Sequence, residues 1–541
     1  MGSQPPIHKR LIVCCDGTWM NSDNGYNEPT LEHPQPTLQV PSNVTRISRC
    51  FKRRCVDGTL QVMAYESGVG TGSNAIDTFT GGAFGLGLSE RVRDAYSYLC
   101  VNHMDGDEIF LVGFSRGAFT ARSVAGMVGN LGLLTREGLE YFYPIFKDME
   151  NWNNDGYKDE FPGQPFDNKP KGPNAAAIYR ERLEKLGYTR VYQENGDLIK
   201  IKAVCVWDTV GSLGIPKISW LEKLGIHPSN DEYRWHDTSL SDRIEHAFQA
   251  LALDETRAPF SPAVWERLPQ NKMTTELRQV WFPGNHGNCG GGWPDQEAAD
   301  ASLAWMMDQM ASVGVEFDLS CLERAAQSTI NYYKSQKSAS KKGPKWAVDP
   351  IYTNDQPVRP WALGPINKAS NFMYKLAGFE NRTPGLYKRT DPKTDCETNV
   401  FLQDTNERIH CSARVRLACK GLGLDDKAVW SCPSLSNWQL KYTNETYEDP
   451  IPQNPSWWQG PSDESGVDRK QGGRWIWEYA GPKSSEPTDP KQRIMVEEPL
   501  GPHERYLLQL SAGTPNVYQF AETQDIIWQG KTIPAAQPAK E

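Results

Sequence analysis

No apolar run in the 541-residue chain approaches the roughly 18 residues that a membrane-spanning helix needs. The first ten residues, Met1 to Arg10, are polar and lack the apolar stretch of a secretory signal. No Lys/Arg-rich run is present, and the formal net charge is −9. That acidic balance argues against a nucleic-acid partner. The 12 cysteines include no Cys-x-x-Cys pair, which removes zinc-finger and thioredoxin-type readings. Three Asn-x-Ser/Thr sequons, at Asn43, Asn381 and Asn444, carry no weight without an export signal. A reduced, cytoplasmic setting with no metal and no cofactor is the expectation. The glycine clusters at 68–72 and 81–87 lack the Gly-Lys-Ser/Thr ending of a phosphate loop. They read instead as a flexible apolar segment that packs over a site.

What the chain does have is large core residues and many loops. It carries 18 Trp, 21 Tyr and 18 Phe, with 46 Gly and 38 Pro. Buried-strand patterns run through Arg10–Cys15, Leu60–Tyr65, Asp107–Val112, Ile199–Trp207 and Leu277–Phe282. Helical patterns occupy Glu90–Val101, the residues after Ser115, Ile244–Leu253 and Ala298–Met310. This alternation predicts an α/β fold with a mostly parallel, doubly wound sheet. Residues 135 to 198 interrupt the rhythm and read as a lid-type insertion. Residues 8–340 are expected to form the catalytic domain. Residues 341–541 are expected to be a loop-rich C-terminal extension, with short strands at Ala413–Leu417 and Tyr506–Leu510 and no assigned role.

One stretch carries the chemistry. The run Glu108–Val112 leads into Gly113-Phe114-Ser115-Arg116-Gly117 and then directly into a helix. This is the layout of a nucleophile elbow, in which a tight turn between strand and helix exposes a serine hydroxyl. Two later strand ends add Asp208, after Val206-Trp207, and His286, in Pro283-Gly284-Asn285-His286-Gly287. Serine, acid and histidine in that chain order match the α/β-hydrolase arrangement. The imidazole would take the serine proton during attack on a carbonyl, and the carboxylate would hold the imidazole in its working tautomer. Of the nine histidines, only His286 follows a strand into a glycine loop. Asp254 competes with Asp208, but its apparent helical context favours a cap or salt bridge. The oxyanion donors are expected to be the backbone N–H of Arg116 and one from the loop at Gly17 or Thr18. Asp16 is read as a structural acceptor that ties this loop down. Arg122 and Arg257 read as salt-bridge partners.

Five spaced blocks carry a family resemblance. They are Val13–Trp19, Gly113–Phe119, Val206–Val210, Leu253–Arg257, and Trp281–His286 with Gly290-Gly291-Gly292. Together they resemble the DUF2235 α/β-hydrolases, which include type VI secretion phospholipase effectors of the Tle1 class. The long C-terminal extension is more similar to fungal-type members. The resemblance implies a Ser-Asp-His triad on Ser115, Asp208 and His286, and an ester hydrolase. One departure is visible: Asn288 and Cys289 stand where the family usually has an acidic residue and Val. The expectation is a serine esterase or lipase that forms an acyl-enzyme on Ser115, acting on lipid or phospholipid esters with an apolar acyl part. A peripheral membrane contact is compatible with that reading, and the oligomeric state is open. Lactone, polyester or specialised-metabolite esters, or acyl transfer, are the alternative. A non-catalytic binding or scaffold protein is the rival of another class.

Overall fold

Lys9–Cys15 forms strand β1, and its last five residues are buried. A strand enclosed on both faces needs a partner on each edge. β1 finds them in two parallel strands, β2 (Leu60–Glu66) and β3 (Glu108–Phe114). The computed structural model describes residues 8–17, 20, 25–27, 36–68, 81–154, 156–210, 240–336, 359–367, 378–390, 397–452, 454–462, 473–511 and 517–521.

The sheet continues with β4 (Ile201–Trp207), β5 (Ile244–Ala252), β6 (Glu276–Phe282), β7 (Glu407–His410), β8 (Trp438–Thr443), β9 (Arg474–Tyr479) and β10 (Ile494–Glu498). Across the sheet the order is β8-β9-β10-β7-β6-β5-β4-β3-β1-β2. Neighbours from β2 to β10 run parallel, and only β9 runs against both of its partners. The chain reverses its direction of growth at β1, with β2 on one side and β3 on the other. In such sheets the crevice beyond the strand C-termini at this reversal is where ligands bind. The architecture is that of an α/β-hydrolase-like fold.

The two faces follow the two-residue period of a strand. Leu11, Val13, Ile109 and Leu111 face one layer, while Ile12, Cys14, Phe110 and Val112 face the other. The first layer is built by α1 (Gly81–Asn102) and α2 (Arg116–Leu131), through Ala95, Leu99, Ala118 and Val124. The short helix α3 (His286–Gly290) leads to α4 (Glu297–Ser312), whose Leu303, Trp305, Met306 and Met310 fill the second layer. Among the described residues no helix is long and apolar enough to cross a membrane. The described cysteines are all buried free thiols.

Several elements differ from the sequence expectation. Ile244–Ala252 is a central strand, not a helix, paired on both edges by β4 and β6. Its Ala, Gln and Leu content suits a helix, but two neighbouring strands outweigh that preference. Asp254 therefore follows a strand. Residues 413–417 lie in helix α5 (Cys411–Ala418), and 506–510 lie in helix α6 (Pro502–Leu510). The second glycine cluster opens α1, while much of the first lies outside the described residues. The insertion near 135–198 is docked in the core, with Ile145, Tyr179 and Leu183 buried in the α2 layer. Arg180 donates to Gly129 O at 3.0 Å and Thr189 Oγ1 to Leu131 O at 2.6 Å. Those contacts anchor it at the end of α2 opposite Ser115. The residues beyond 341 add β7 to β10 to the same sheet.

Candidate active site

Ser115 sits on the turn between β3 and α2 with φ 58° and ψ −120°. A non-glycine residue rarely holds this backbone conformation, which is strained by roughly 1–3 kcal/mol. The turn is tight enough to exclude side chains on both flanks. A Cβ on Gly113 would meet Ala118 N at 2.7 Å, and one on Gly117 would strike the Cys15 carbonyl at the end of β1. The Ser115 N–H donates to Trp207 O at 3.0 Å, which ties the turn to the end of β4.

Asp208 follows that same Trp207 and is fully buried, also at positive φ (42°). Its carboxylate accepts four hydrogen bonds from three residues. The Ala252 N–H reaches Oδ1 at 3.0 Å, His286 Nδ1 reaches Oδ2 at 2.5 Å, Arg382 Nη2 reaches Oδ2 at 2.9 Å, and Arg382 Nη1 reaches Oδ1. Burial alone would raise this acid's pKa, but the Arg382 charge and the His286 hydrogen bond outweigh it and hold Asp208 well below the usual carboxylate range. An ionised carboxylate only accepts, so the proton lies on His286 Nδ1 and Nε2 is the basic nitrogen. Burial, opposed by Asp208, lowers the proton affinity of the imidazole below its ordinary value. The ring is sandwiched between Phe114, at 4.6 Å between centroids, and Phe260, edge-on at 4.9 Å. Phe114 immediately precedes Ser115. The structure thus joins His286 to Asp208 directly and to the Ser115 turn through Phe114, with no hydrogen bond between Ser115 Oγ and His286 Nε2. Open sites often tighten this contact only when substrate binds.

Around this core, Glu255 accepts the His286 N–H at 3.2 Å and a two-point contact from Arg257, at 2.8 and 2.7 Å. Asp254 faces elsewhere: it accepts from Gly284 N at 2.6 Å and Trp430 Nε1 at 2.9 Å. Arg122 donates to Ala263 O and lies 4.3 Å over the Trp265 ring.

The loop after β1 is organised by Asp16, as a buried acceptor must be. Ser42 Oγ, Thr45 Oγ1, Tyr65 OH and the Gly17 N–H all donate to it, at 2.5 to 2.7 Å. That last bond takes the Gly17 N–H, one of two expected oxyanion donors from this loop, into the Asp16 knot. Thr18 lies outside the described residues. Arg116 is the first residue of α2, immediately after the turn.

The His286 loop is stapled from three sides. Asn285 caps α3, accepting from Asn288 N at 3.0 Å, while Asn288 Oδ1 accepts from Asn285 N at 3.2 Å. Asn288 Nδ2 also donates to Pro365 O at 3.1 Å. An acid at position 288 could cap the helix but could not make that last bond. The family departure at 288 therefore matches a contact from the C-terminal part of the chain. A Cβ on Gly291 would meet Asn43 N at 2.8 Å, so the glycine run lets the loop lie against Ser42 and Asn43.

The residue that sequence reasoning missed is Arg382. It is buried, donates to Asp208, and is itself held by Ala252 O at 3.0 Å and Phe260 O at 2.8 Å. Nothing in Asn381-Arg382-Thr383 distinguishes it from a surface arginine. Its partner is 174 positions away.

Residues 9–309 match a family model described as the T6SS phospholipase effector Tle1-like catalytic domain. A stretch of 274 residues is 24% identical to the uncharacterized protein YEL023C of Saccharomyces cerevisiae, covering 48% of this chain and 33% of that protein. The match therefore spans about a third of that relative's length. Among solved structures, an uncharacterized protein from Pseudomonas aeruginosa aligns with a TM-score of 0.33 and 16% identity, over 57% of this chain and 47% of that one. A thermophilic esterase from the Planctomycetes species Thermogutta terrifontis, bound to butyrate, aligns with a TM-score of 0.27 and 13% identity, over 58% of this chain and 87% of that one.

Proposed function

The chain belongs to the family of T6SS phospholipase effector Tle1-like catalytic domains, and on that premise we propose that it is a serine hydrolase of carboxylic esters with Ser115 as nucleophile. The observation that carries this reading is the 2.5 Å contact of His286 Nδ1 with Asp208, beside a strained turn that carries a serine. His286 Nε2 takes the Ser115 proton as Oγ attacks the ester carbonyl. The carbonyl carbon becomes tetrahedral, and the negative oxygen turns toward the start of α2. The Arg116 N–H is one oxyanion donor. With the Gly17 N–H committed to Asp16, Thr18 is the candidate for the other. The imidazolium then protonates the leaving alcohol, and an acyl group remains on Ser115. Water activated by the same imidazole releases it.

The family description favours lipid or phospholipid esters as substrates. Residues 8–340 supply the three reacting side chains in this reading. The test is a fluorophosphonate probe on the full chain. Labelling of wild type that disappears in Ser115→Ala supports the mechanism, and a folded wild type that stays unlabelled overturns it. A panel of esters of increasing chain length, with and without phospholipid vesicles, then tests the substrate class. Turnover confined to short, water-soluble or lactone esters would remove the lipid assignment.

A further inference from the structure

The family match ends at residue 309, yet the acid of the candidate site is held from beyond it. Residues 378–385 cross the strand ends as a strap. Ala258 N donates to Gly378 O at 3.2 Å and Glu380 N to Thr256 O at 2.9 Å, with an antiparallel bridge between Arg257 and Phe379. Farther along, Gly385 N donates to Glu407 Oε1 at 2.8 Å and Trp438 Nε1 to Pro384 O at 3.1 Å. The strap is thus fixed at both ends, to the loop after β5 and to the C-terminal strands. At its centre Arg382 reaches both oxygens of Asp208 and two main-chain carbonyls. A guanidinium suits this task because its rigid fork matches a carboxylate and stays charged when buried.

We propose that Arg382 is a positioning residue for the Asp208–His286 pair, so that the C-terminal part of the chain completes the active site. The inference rests on the serine-hydrolase reading for its kinetic meaning, but its physical content is the hold of Arg382 on the histidine. The guanidinium orients the carboxylate plane that receives His286 Nδ1–H. It also offsets the Asp208 charge, so the imidazole keeps a moderate proton affinity and Nε2 is free of a proton near neutral pH. The other charged groups facing His286 are Glu255, which accepts its main-chain N–H, and Arg257, which is paired with Glu255. The buried Cys289 thiol lies nearby on the same helix, with burial raising its pKa far above the ordinary value.

The test follows His286 by proton NMR in the full chain, as wild type, Arg382→Gln and Arg382→Lys, with kcat and KM measured against pH on a short-chain ester. Removing the cation leaves the Asp208 charge unopposed, so the pair should take up its proton at a pH about one unit or more higher in Arg382→Gln. Lysine keeps the charge but loses the fork. Arg382→Lys should therefore titrate close to wild type while kcat falls on the order of tenfold to a hundredfold with KM little changed. A merely structural arginine would lower thermal stability in both variants and leave the titration where it was. An Arg382→Gln protein that folds, titrates like wild type and keeps the wild-type kcat overturns the proposal. If that variant does not fold, Arg382→Lys decides alone, and wild-type values of both titration and kcat overturn it. The NMR titration needs no turnover. Failure of wild type to hydrolyse esters would sink the serine-hydrolase reading and leave the measured hold of Arg382 on His286 standing.

Discussion

The molecule brings a serine, a histidine and an acid together at a second place, and the contrast with the candidate site is instructive. His410 donates or accepts at both ring nitrogens: Nε2 lies 2.7 Å from Glu504 Oε1, and Nδ1 lies 2.7 Å from Ser412 Oγ. His410 is fully buried, stacked on Phe282 at 4.4 Å, and caps helix α5 by accepting from Ser412 N. Both nitrogens are thus consumed by the fold, and Ser412 sits in an ordinary first helical turn. In the candidate site only Nδ1 is consumed. There the backbone is strained at two of the three residues, Ser115 and Asp208. Composition is alike in the two places, although only Ser412 is hydrogen-bonded to its histidine. What differs is a basic nitrogen left for chemistry and a serine held out on a strained turn at the ends of parallel strands. The first arrangement is a reaction centre in our reading, and the second is a staple between β7, α5 and α6.

The largest expected effect separates the two serines. Ser115→Ala should lower kcat by about 10⁴-fold or more and abolish fluorophosphonate labelling. Ser412→Ala should leave labelling and kcat unchanged and cost on the order of 1 kcal/mol of stability, read as a shift in the denaturation midpoint. Loss of activity in a folded Ser412→Ala protein would erase the distinction. The histidines should divide in the same way. His286→Ala should lose most activity while the chain stays folded. His410→Ala takes the imidazole contact away from the buried Glu504 carboxylate and should cost about 3–5 kcal/mol.

pH offers a third separation, because the candidate site and a buried carboxyl outside it respond with opposite sign. Burial holds the His286 proton affinity down, so kcat/KM should rise with pH, with its midpoint below the ordinary imidazole value, and then level off. Outside the site, burial pushes the Glu297 carboxyl up to about 8, with Asp295 adding to the effect. Glu297 accepts the main-chain N–H groups of Ala362 and Gly364, at 2.8 and 2.6 Å. A carboxyl that binds its proton more tightly folded than unfolded contributes its full stability below the unfolded value near 4.5. That stability is lost as pH rises through about 8. Thermal stability should therefore fall between about pH 5 and 8, by on the order of 3 kcal/mol, while activity is still rising or flat. Glu297→Gln should flatten that stability slope and leave the activity profile in place.

The same contrast shows what a sequence can reveal. Ser115, Asp208 and His286 were legible because each follows a seven-residue, largely buried strand, Ser115 and Asp208 directly and His286 four residues on, through turn residues. Strand length and burial are local signals. Asp16 was legible as a structural acceptor for the same reason. β5 was not, since Ala247, Gln249, Ala250 and Ala252 favour a helix until two neighbouring strands claim their backbone. The four C-terminal strands were missed or misplaced because they are only four to six residues long and pair across distant parts of the chain. Arg382 and the Glu504 contact of His410 depend wholly on such long-range placement. No window of sequence contains both partners.

The smallest expected effect tests how far the C-terminal segment and the His286 loop are fitted to each other. Asn288 serves two masters: its Oδ1 caps Asn285 N, and its Nδ2 donates to Pro365 O. Asn288→Asp restores the acidic residue usual in the family. The carboxylate would keep the cap and gain from the positive start of α3. It would also face the Pro365 carbonyl with no proton to offer, and two acceptors in contact repel. The two contributions nearly cancel, so the variant should lose about 1 kcal/mol or less. The activity of Asn288→Asp should stay within a few-fold of wild type, because the His286–Asp208 contact is not touched. A large loss of activity with unchanged stability would mean that the cap sets the imidazole directly, and the division between staple and reaction centre would then be drawn one turn too far from His286. A gain in stability would mean that the Pro365 contact contributes nothing, and that the segment 359–367 is held by its other contacts, among them Glu297 and Arg416, which hold Ala362 and Gly364 from either side, and Arg359, which pairs with Asp426.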